Sequence, residues 1–454
     1  MLFRQFVDED LGCASYLVGD ETAGEALLVD PAYAIEPYLV EAERLGVRIV
    51  RVLETHTHAD HVSGHGRLAL EHGLPVSVHG EAQAEFPHDP LADGDEVAAG
   101  SVCVRCLHTP GHRPEHCCLL VGEVGRSTAG QSPAVRPGWA LLTGDSLFVG
   151  AVARPDLAVE AREGAEGLFH SLHRLLDLPD DVRVFPGHVA GSLCGSGMSS
   201  DPSSTIGAER KGNALLAVAT VQEFIDETSG TATPRPPNME RIVDLNRGPF
   251  LPAPPPPEPV DSASGATVLD VRPAEAFTAG HLAGALNVPV SGSAFGTKAG
   301  FVLEPGERIV LHAGSAEEAE LAARRLRAVG FLELEGYLAE PQPTETLEPV
   351  ALDDLDELLA SGEIELIDVR ELDERDSGYI PGSRHIPYRL LRATGAPVGD
   401  GKPVVTICEG GPRAAIAASV LAAAGVDARP VLRGGITDWQ RRGGRTVEFR
   451  RCGS

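Results

Sequence analysis

The second half of the chain is written twice, and that repeat restricts the fold more than any other feature of the sequence. Val268–Pro289, VLDVRPAEAFTAGHLAGALNVP, aligns without a gap on Leu366–Pro387, LIDVRELDERDSGYIPGSRHIP. Each copy has an apolar run, Asp-Val-Arg, a short helical stretch, a glycine, an apolar residue, another glycine and a proline. Arg308–Phe331 aligns in the same way on Pro403–Val426, each giving an apolar strand, a loop and a helix that stops at Gly330 or Gly425. Glycine is the usual residue there, because helices commonly end in a left-handed conformation. Strands alternating with helices at this spacing predict two small α/β domains with parallel sheets, since parallel neighbours need a crossover segment. One such match is within reach of chance; two in the same order predict a duplicated fold.

Ahead of the repeat, Gly248–Val260 reads GPFLPAPPPPEPV. Proline fixes φ and removes backbone donors, so an extended, semi-rigid spacer is expected. The resulting division is 1–247, a linker 248–262, a first repeat domain 263–340 and a second 345–454. A length of 454 residues is consistent with several domains. The formal charge of −28 argues against nucleic acid or an anionic membrane as partner, both of which call for a basic face. No run approaches the roughly 18 apolar residues of a membrane span, and acids interrupt the first ten positions, so no leader core is expected. Eight cysteines are too few for a disulfide scaffold. A cytoplasmic protein in a reducing compartment is the expectation.

The first half concentrates histidine. Thr55–His61, THTHADH, directly follows the apolar run RIVRVLE and offers His56, His58, Asp60 and His61 as metal ligands. In extended backbone His56 and His58 would point to the same side. His112 follows LHTPG, Asp145 follows LLTG and His188 follows VRVFPG. Four times an apolar strand ends and a ligand-type side chain appears, which is how an α/β sheet gathers a site along one edge. A metal site is the expectation. The other histidines lack this placement and read as structural or surface residues.

THTHADH with TPGH, TGD and FPGH resembles the metallo-β-lactamase superfamily, which implies an αββα sandwich over about residues 1–247 with one or two metal ions. Two chemistries remain open. A glyoxalase II-type hydrolase would place two zinc ions on His56, His58 and His112 and on Asp60, His61 and His188, with Asp145 bridging, and would hydrolyse a thioester. A persulfide dioxygenase would hold one Fe(II) through His56, His112 and Asp145, leaving positions open as non-haem iron requires. GSLCGSG, PSSTIGAERKGN and RPPNMERIVDLNRGP resemble the persulfide dioxygenase branch and favour it. That resemblance implies that His58, Asp60, His61 and His188 orient ligands and substrate, and that Arg154 in VARPDLA steadies an anionic persulfide. Cys194, six residues after His188, is a candidate for sulfur handling.

Cys103 and Cys106 form a C-x-x-C, but an odd separation within a strand puts them on opposite faces. Cys117 and Cys118 read as core. Cys408 stands apart: it follows the strand VVTI and opens Cys408-Glu-Gly-Gly-Pro-Arg413, which runs into the helix AAIAASVLAAAG. Unpaired backbone N–H groups and the positive helix end favour thiolate there, and Arg413 adds a fixed charge. With Asp368–Arg370 upstream and RGGITDW downstream, the segment resembles a rhodanese domain, which implies that Cys408 carries sulfane sulfur as a persulfide. Glu409 departs from the basic residues common in such loops. In the first repeat Ala313 stands for Cys408 and Glu318 for Arg413, so that domain resembles a rhodanese without sulfur-carrying chemistry. The whole chain resembles the persulfide dioxygenase–rhodanese fusions of sulfide detoxification. This implies a small thiol persulfide and O2 as substrates, sulfite and thiosulfate as products, and a homo-oligomer. A sulfur-relay adaptor without turnover is a further reading.

Overall fold

A computed structural model describes residues 1–123, 138–156, 158–189, 198–228, 235–395 and 401–449. The chain forms two units: Met1–Pro254 with Arg327–Gly330, and Pro255–Leu326 with Phe331–Ser454.

Among the described residues, the first unit holds two six-stranded sheets. In one, Leu2–Val7, Ala14–Asp20 and Glu25–Val29 run antiparallel, and Arg48–Leu53, Val76–His79 and Asp89–Leu91 follow in parallel. In the other, Glu96–Ala99, Val102–His108, Cys117–Glu123 and Ala140–Gly144 form an antiparallel run. Arg183–Pro186 joins it in parallel, and Ser204–Thr205 forms the edge.

Alternation along the strands assigns their faces. Tyr16, Val18, Leu27, Val29 and Leu53 share a core with Val102, Val104, Leu119, Val121 and Phe185 of the second sheet. The intervening Leu17, Ala26, Leu28 and Val52 face the helices Glu36–Leu45 and His65–His72 through Tyr38, Ala42 and Leu68. Leu141 and Val184 face the helix Ala161–Leu175 in the same way. Both faces of each sheet are therefore covered, which is why the strands read as continuous apolar runs. The result is the expected αββα sandwich. Cys103 and Cys106 are both buried and free, and Cys117 and Cys118 are core residues.

The second unit contains the duplication. Thr267–Asp270 pairs with Leu286–Asn287 and Ile309–His312, and the latter pairs with Leu334–Leu338, all in parallel. Glu365–Asp368, Arg384–His385, Val404–Ile407 and Ala428–Pro430 repeat that order. The shared Asp-Val-Arg has the same job in each copy. Asp270 binds Arg272 at 2.6 Å and Arg272 reaches the Gly280 carbonyl at 2.9 Å. Asp368 binds Arg370 at 2.8 Å and Arg370 reaches the Gly378 carbonyl at 2.7 Å. Both aspartates are fully buried, so each arginine supplies the countercharge its carboxylate needs. The 248–262 stretch is not spacer throughout: the Val260 amide donates to Tyr337 and the Tyr337 amide to Glu258. Its last residues therefore lie along the edge of the first repeat's sheet.

Candidate metal centre and thiol loop

His56, His112 and Asp145 come from three different strand ends, and their ligand-type atoms all lie within 4.8 Å of one another. All three side chains are buried. His112 Nδ1 donates to the Arg154 carbonyl at 3.1 Å, which leaves Nε2 as the lone-pair nitrogen. His112 Nε2 and Asp145 Oδ2 are 3.8 Å apart, and both are buried without a hydrogen-bond partner. Buried polar atoms are normally paired, so two orphans aimed at one point fit a metal ion. Burial, followed by the nearby His58, His112 and His116, holds the His56 pKa well below its ordinary value, so the ring is neutral and able to ligate.

Crowding of backbone against side chains keeps these loops together. Gly144 has φ of 48°, and a Cβ there would lie 2.7 Å from both His116 Nε2 and Thr55 Oγ1. A Cβ at Gly187 would meet Asp145 Oδ1 at 2.5 Å. The Asp145 amide donates to His116 Nε2 at 3.1 Å.

The other expected residues separate into two groups. His188 bridges two carboxylates, with Nδ1 2.8 Å from Asp145 Oδ1 and Nε2 2.6 Å from Asp60 Oδ2. Burial alone would lower its pKa, but Asp145 and Asp60 outweigh burial and hold it well above the ordinary range. His61 Nδ1 lies 3.1 Å from Asp60 Oδ1 and 3.3 Å from Cys13 Sγ. Cys13, Asp60, His61 and His188 thus form a second cluster of ligand types. His58 lies beside His56, ring centroids 4.2 Å apart, and its Nδ1 is buried without a hydrogen-bond partner. Its Nε2 lies 3.2 Å from Glu54 Oε2 and 3.4 Å from Asp30 Oδ1. The extended backbone assumed for the motif is replaced by a bend after Leu53, where Asp30 accepts both the amide and the hydroxyl of Thr55. Against burial and His61, Asp30 and Glu54 bring the His58 pKa up to about 9. Arg154 is engaged: its guanidinium makes two 2.7 Å bonds to Asp156, and it is its carbonyl that touches the centre. Cys194 lies outside the described residues.

Asp30, Glu54, Cys13 and His116 were not singled out from the sequence. Asp30 carried a usable signal, since it follows the apolar strand EALLV as the other acids and imidazoles follow theirs. Cys13 carried none, because its approach to His61 depends on the bridge between Cys13 and His188.

In the second repeat, Cys408 sits at the end of Val404–Ile407, buried, with the Gly411 amide 3.1 Å from its Sγ. Gly411, at φ of 106°, has no room for a side chain: a Cβ would lie 2.0 Å from the Leu432 carbonyl oxygen. Arg413 makes two 2.6 Å bonds to Glu374, and Arg370 lies 3.3 Å from Glu409. In the first repeat, Ala313 is buried at the same place and the Gly314 amide donates to Glu318 Oε2 at 2.6 Å. A carboxylate of the chain itself, from the position that Arg413 holds in the second copy, bonds the first amide of this loop.

Comparison with protein families matches residues 8–125 to the metallo-beta-lactamase superfamily, and 258–339 and 351–442 to the rhodanese-like domain. The chain is thus a metallo-β-lactamase domain joined to two rhodanese-like domains. Its first half is 28% identical over 253 residues to the mitochondrial persulfide dioxygenase ETHE1 of Homo sapiens, covering 54% of this chain and 87% of that protein. That homology supports the fusion of a persulfide dioxygenase domain with rhodanese domains. A hydroxyacylglutathione hydrolase of Gloeobacter violaceus is 33% identical over 177 residues, covering 38% of this chain and 62% of that protein. A solved metallo-beta-lactamase from Staphylococcus aureus subsp. aureus COL matches with a TM-score of 0.68 at 29% identity, covering 76% of this chain and 99% of that one. No helix among the described residues is long and apolar enough to cross a membrane.

Proposed function

We propose that the chain is a non-haem Fe(II) persulfide dioxygenase that also transfers sulfane sulfur through Cys408, within sulfide detoxification in the cytoplasm. The observation that carries this is the convergence of His56, His112 and Asp145, whose ligand-type atoms lie within 4.8 Å of one another, while His58 Nε2 is turned to Asp30 and Glu54. Two imidazoles and one carboxylate form a facial set suited to ferrous iron, which when bound would supply activation of dioxygen. The Arg154 carbonyl fixes the His112 ring. His188, charged between Asp60 and Asp145, holds the ligating carboxylate in place. One persulfide, one O2 and one water give the free thiol, sulfite and two protons.

In the rhodanese step the Cys408 thiolate attacks the terminal sulfur of R–S–SH. The S–S bond breaks, RS⁻ leaves, and Cys408–S–SH remains against the Gly411 amide. Sulfite then takes the sulfane sulfur as thiosulfate and returns the thiolate. The covalent tether raises the local concentration of one site's product at the other.

To test this, the chain is reconstituted with Fe(II) and given a small-thiol persulfide under air; O2 uptake with sulfite or thiosulfate formation is expected, and neither appearing refutes it. The second reading, a two-zinc thioester hydrolase, is favoured by the Cys13, Asp60, His61 and His188 cluster. It predicts two zinc ions per chain and hydrolysis of a glutathione thioester.

A further inference from the structure

Asp30 closes the strand Glu25–Val29 with a φ of 48°, a left-handed conformation that Asp and Asn adopt more readily than other side chains. It is buried; both of its carboxylate oxygens bond Thr55, and Oδ1 also lies 3.4 Å from His58 Nε2. Oδ1 accepts the Thr55 amide at 2.7 Å and Oδ2 accepts the Thr55 hydroxyl at 2.8 Å. Thr55 Oγ1 in turn lies 2.9 Å from His56 Nδ1.

A hydroxyl has one proton to give. With that proton on the bond to Asp30, Thr55 Oγ1 can meet His56 only as an acceptor, so the hydrogen sits on Nδ1 and the lone pair on Nε2. Thr55 is held on its other sides as well. Its carbonyl accepts the Cys117 amide at 2.8 Å, and Gly144 leaves its Oγ1 no spare room. His112 is fixed by the equivalent device, Nδ1 to the Arg154 carbonyl.

We propose that Asp30 is a positioning residue which, through the Thr55 hydroxyl, holds His56 in the tautomer that presents Nε2 to a metal ion. The inference rests on His56 being a metal ligand. It assigns a function to a strained acid that touches neither metal nor substrate, and to the threonine that begins the THTHADH motif. Partners of ligating histidines that fix the ring in this way typically contribute about 10–100-fold in metal affinity.

The test uses the full chain, stripped of metal and titrated with Co(II) against a chelator, in wild type and in Asp30→Asn, Thr55→Val and Thr55→Ser. Asparagine tolerates the left-handed backbone, so Asp30→Asn changes the hydrogen bonding while keeping the turn; its amide can donate to the hydroxyl and reverse it. The Asp30→Asn and Thr55→Val chains should each bind about 10–100-fold more weakly, the double variant no worse than either, and Thr55→Ser should bind like wild type. Long-range ¹H–¹⁵N spectra of the metal-free chain should show His56 with its proton on Nδ1 in wild type and a mixture of tautomers in Thr55→Val. Unchanged affinity in Asp30→Asn and Thr55→Val overturns the proposal, as does Thr55→Ser binding as weakly as Thr55→Val. If Asp30→Asn does not fold, the threonine pair decides alone. Failure of wild type to take up any ion overturns the metal reading and this inference with it, whereas uptake that is indifferent to Asp30 and Thr55 overturns the inference only.

Discussion

Replacing His58 by glutamine removes a buried positive charge from between two buried carboxylates. The ring is 3% exposed, as are the Asp30 and Glu54 side chains it contacts. Its pKa rises from the ordinary 6.5 to about 9 in the folded chain. At about 1.4 kcal/mol per pH unit, this corresponds to roughly 3 kcal/mol of stabilisation. A raised value means the folded state holds the proton more tightly than the unfolded state. The contribution is therefore complete below pH 6.5 and lost as pH rises through 9. Glutamine is uncharged throughout, so the variant lacks this pH-dependent part. The quantity to measure is the wild-type minus His58→Gln difference in unfolding free energy of the metal-free chain, in denaturant, at intervals between those limits. Trp139 reports on the first unit once Trp439 is changed to Phe, since the chain has two tryptophans. The difference should be large at pH 6, of the order of 3–5 kcal/mol as for breaking other buried pairs, and should shrink by about 3 kcal/mol towards pH 9. A difference that stays flat across that range refutes the charged state assigned to His58.

Cys408→Ser should abolish sulfur transfer from a persulfide while leaving oxygen uptake at the wild-type rate, measured as cyanide-acceptor turnover and by oxygen electrode. Ala313→Cys alone should create no transfer activity in a Cys408→Ser background, because Glu318 puts a carboxylate on the loop where the second copy has Arg413; Ala313→Cys with Glu318→Arg should carry a detectable persulfide by mass. Glu409→Lys should raise kcat/KM for thiosulfate, about tenfold for a new charge contact worth about 1.4 kcal/mol, by removing an acid that pairs Arg370. Leu119→Ala, at a core position 1% exposed, should cost about 2–5 kcal/mol of stability in chemical denaturation.

Much of this was legible because strand ends announce themselves. An apolar run followed by an imidazole or carboxylate marks His56, His112, Asp145 and His188, with a glycine turn between at the last three. The gap-free repeat likewise foretold two parallel sheets of one order. What the sequence withheld depended on local backbone direction or on long-range approach. His58 stands beside His56, as the two-residue period suggests, but the period could not show its Nε2 turned to Asp30 and Glu54, because Asp30 lies far back in sequence. Arg154 was expected to steady an anionic substrate, but Asp156, two residues on, takes its guanidinium. The end of the proline stretch looked like spacer because its pairing partner, Tyr337, lies in a distant strand.

The glycines at 144 and 187 have a consequence for how the centre comes apart. Each presents bare backbone to a side chain from another loop: Thr55 and His116 in one case, Asp145 in the other. A methyl group at either position would push two of these loops apart, so Gly144→Ala or Gly187→Ala should widen the rim and weaken its hold on an ion without removing any ligand.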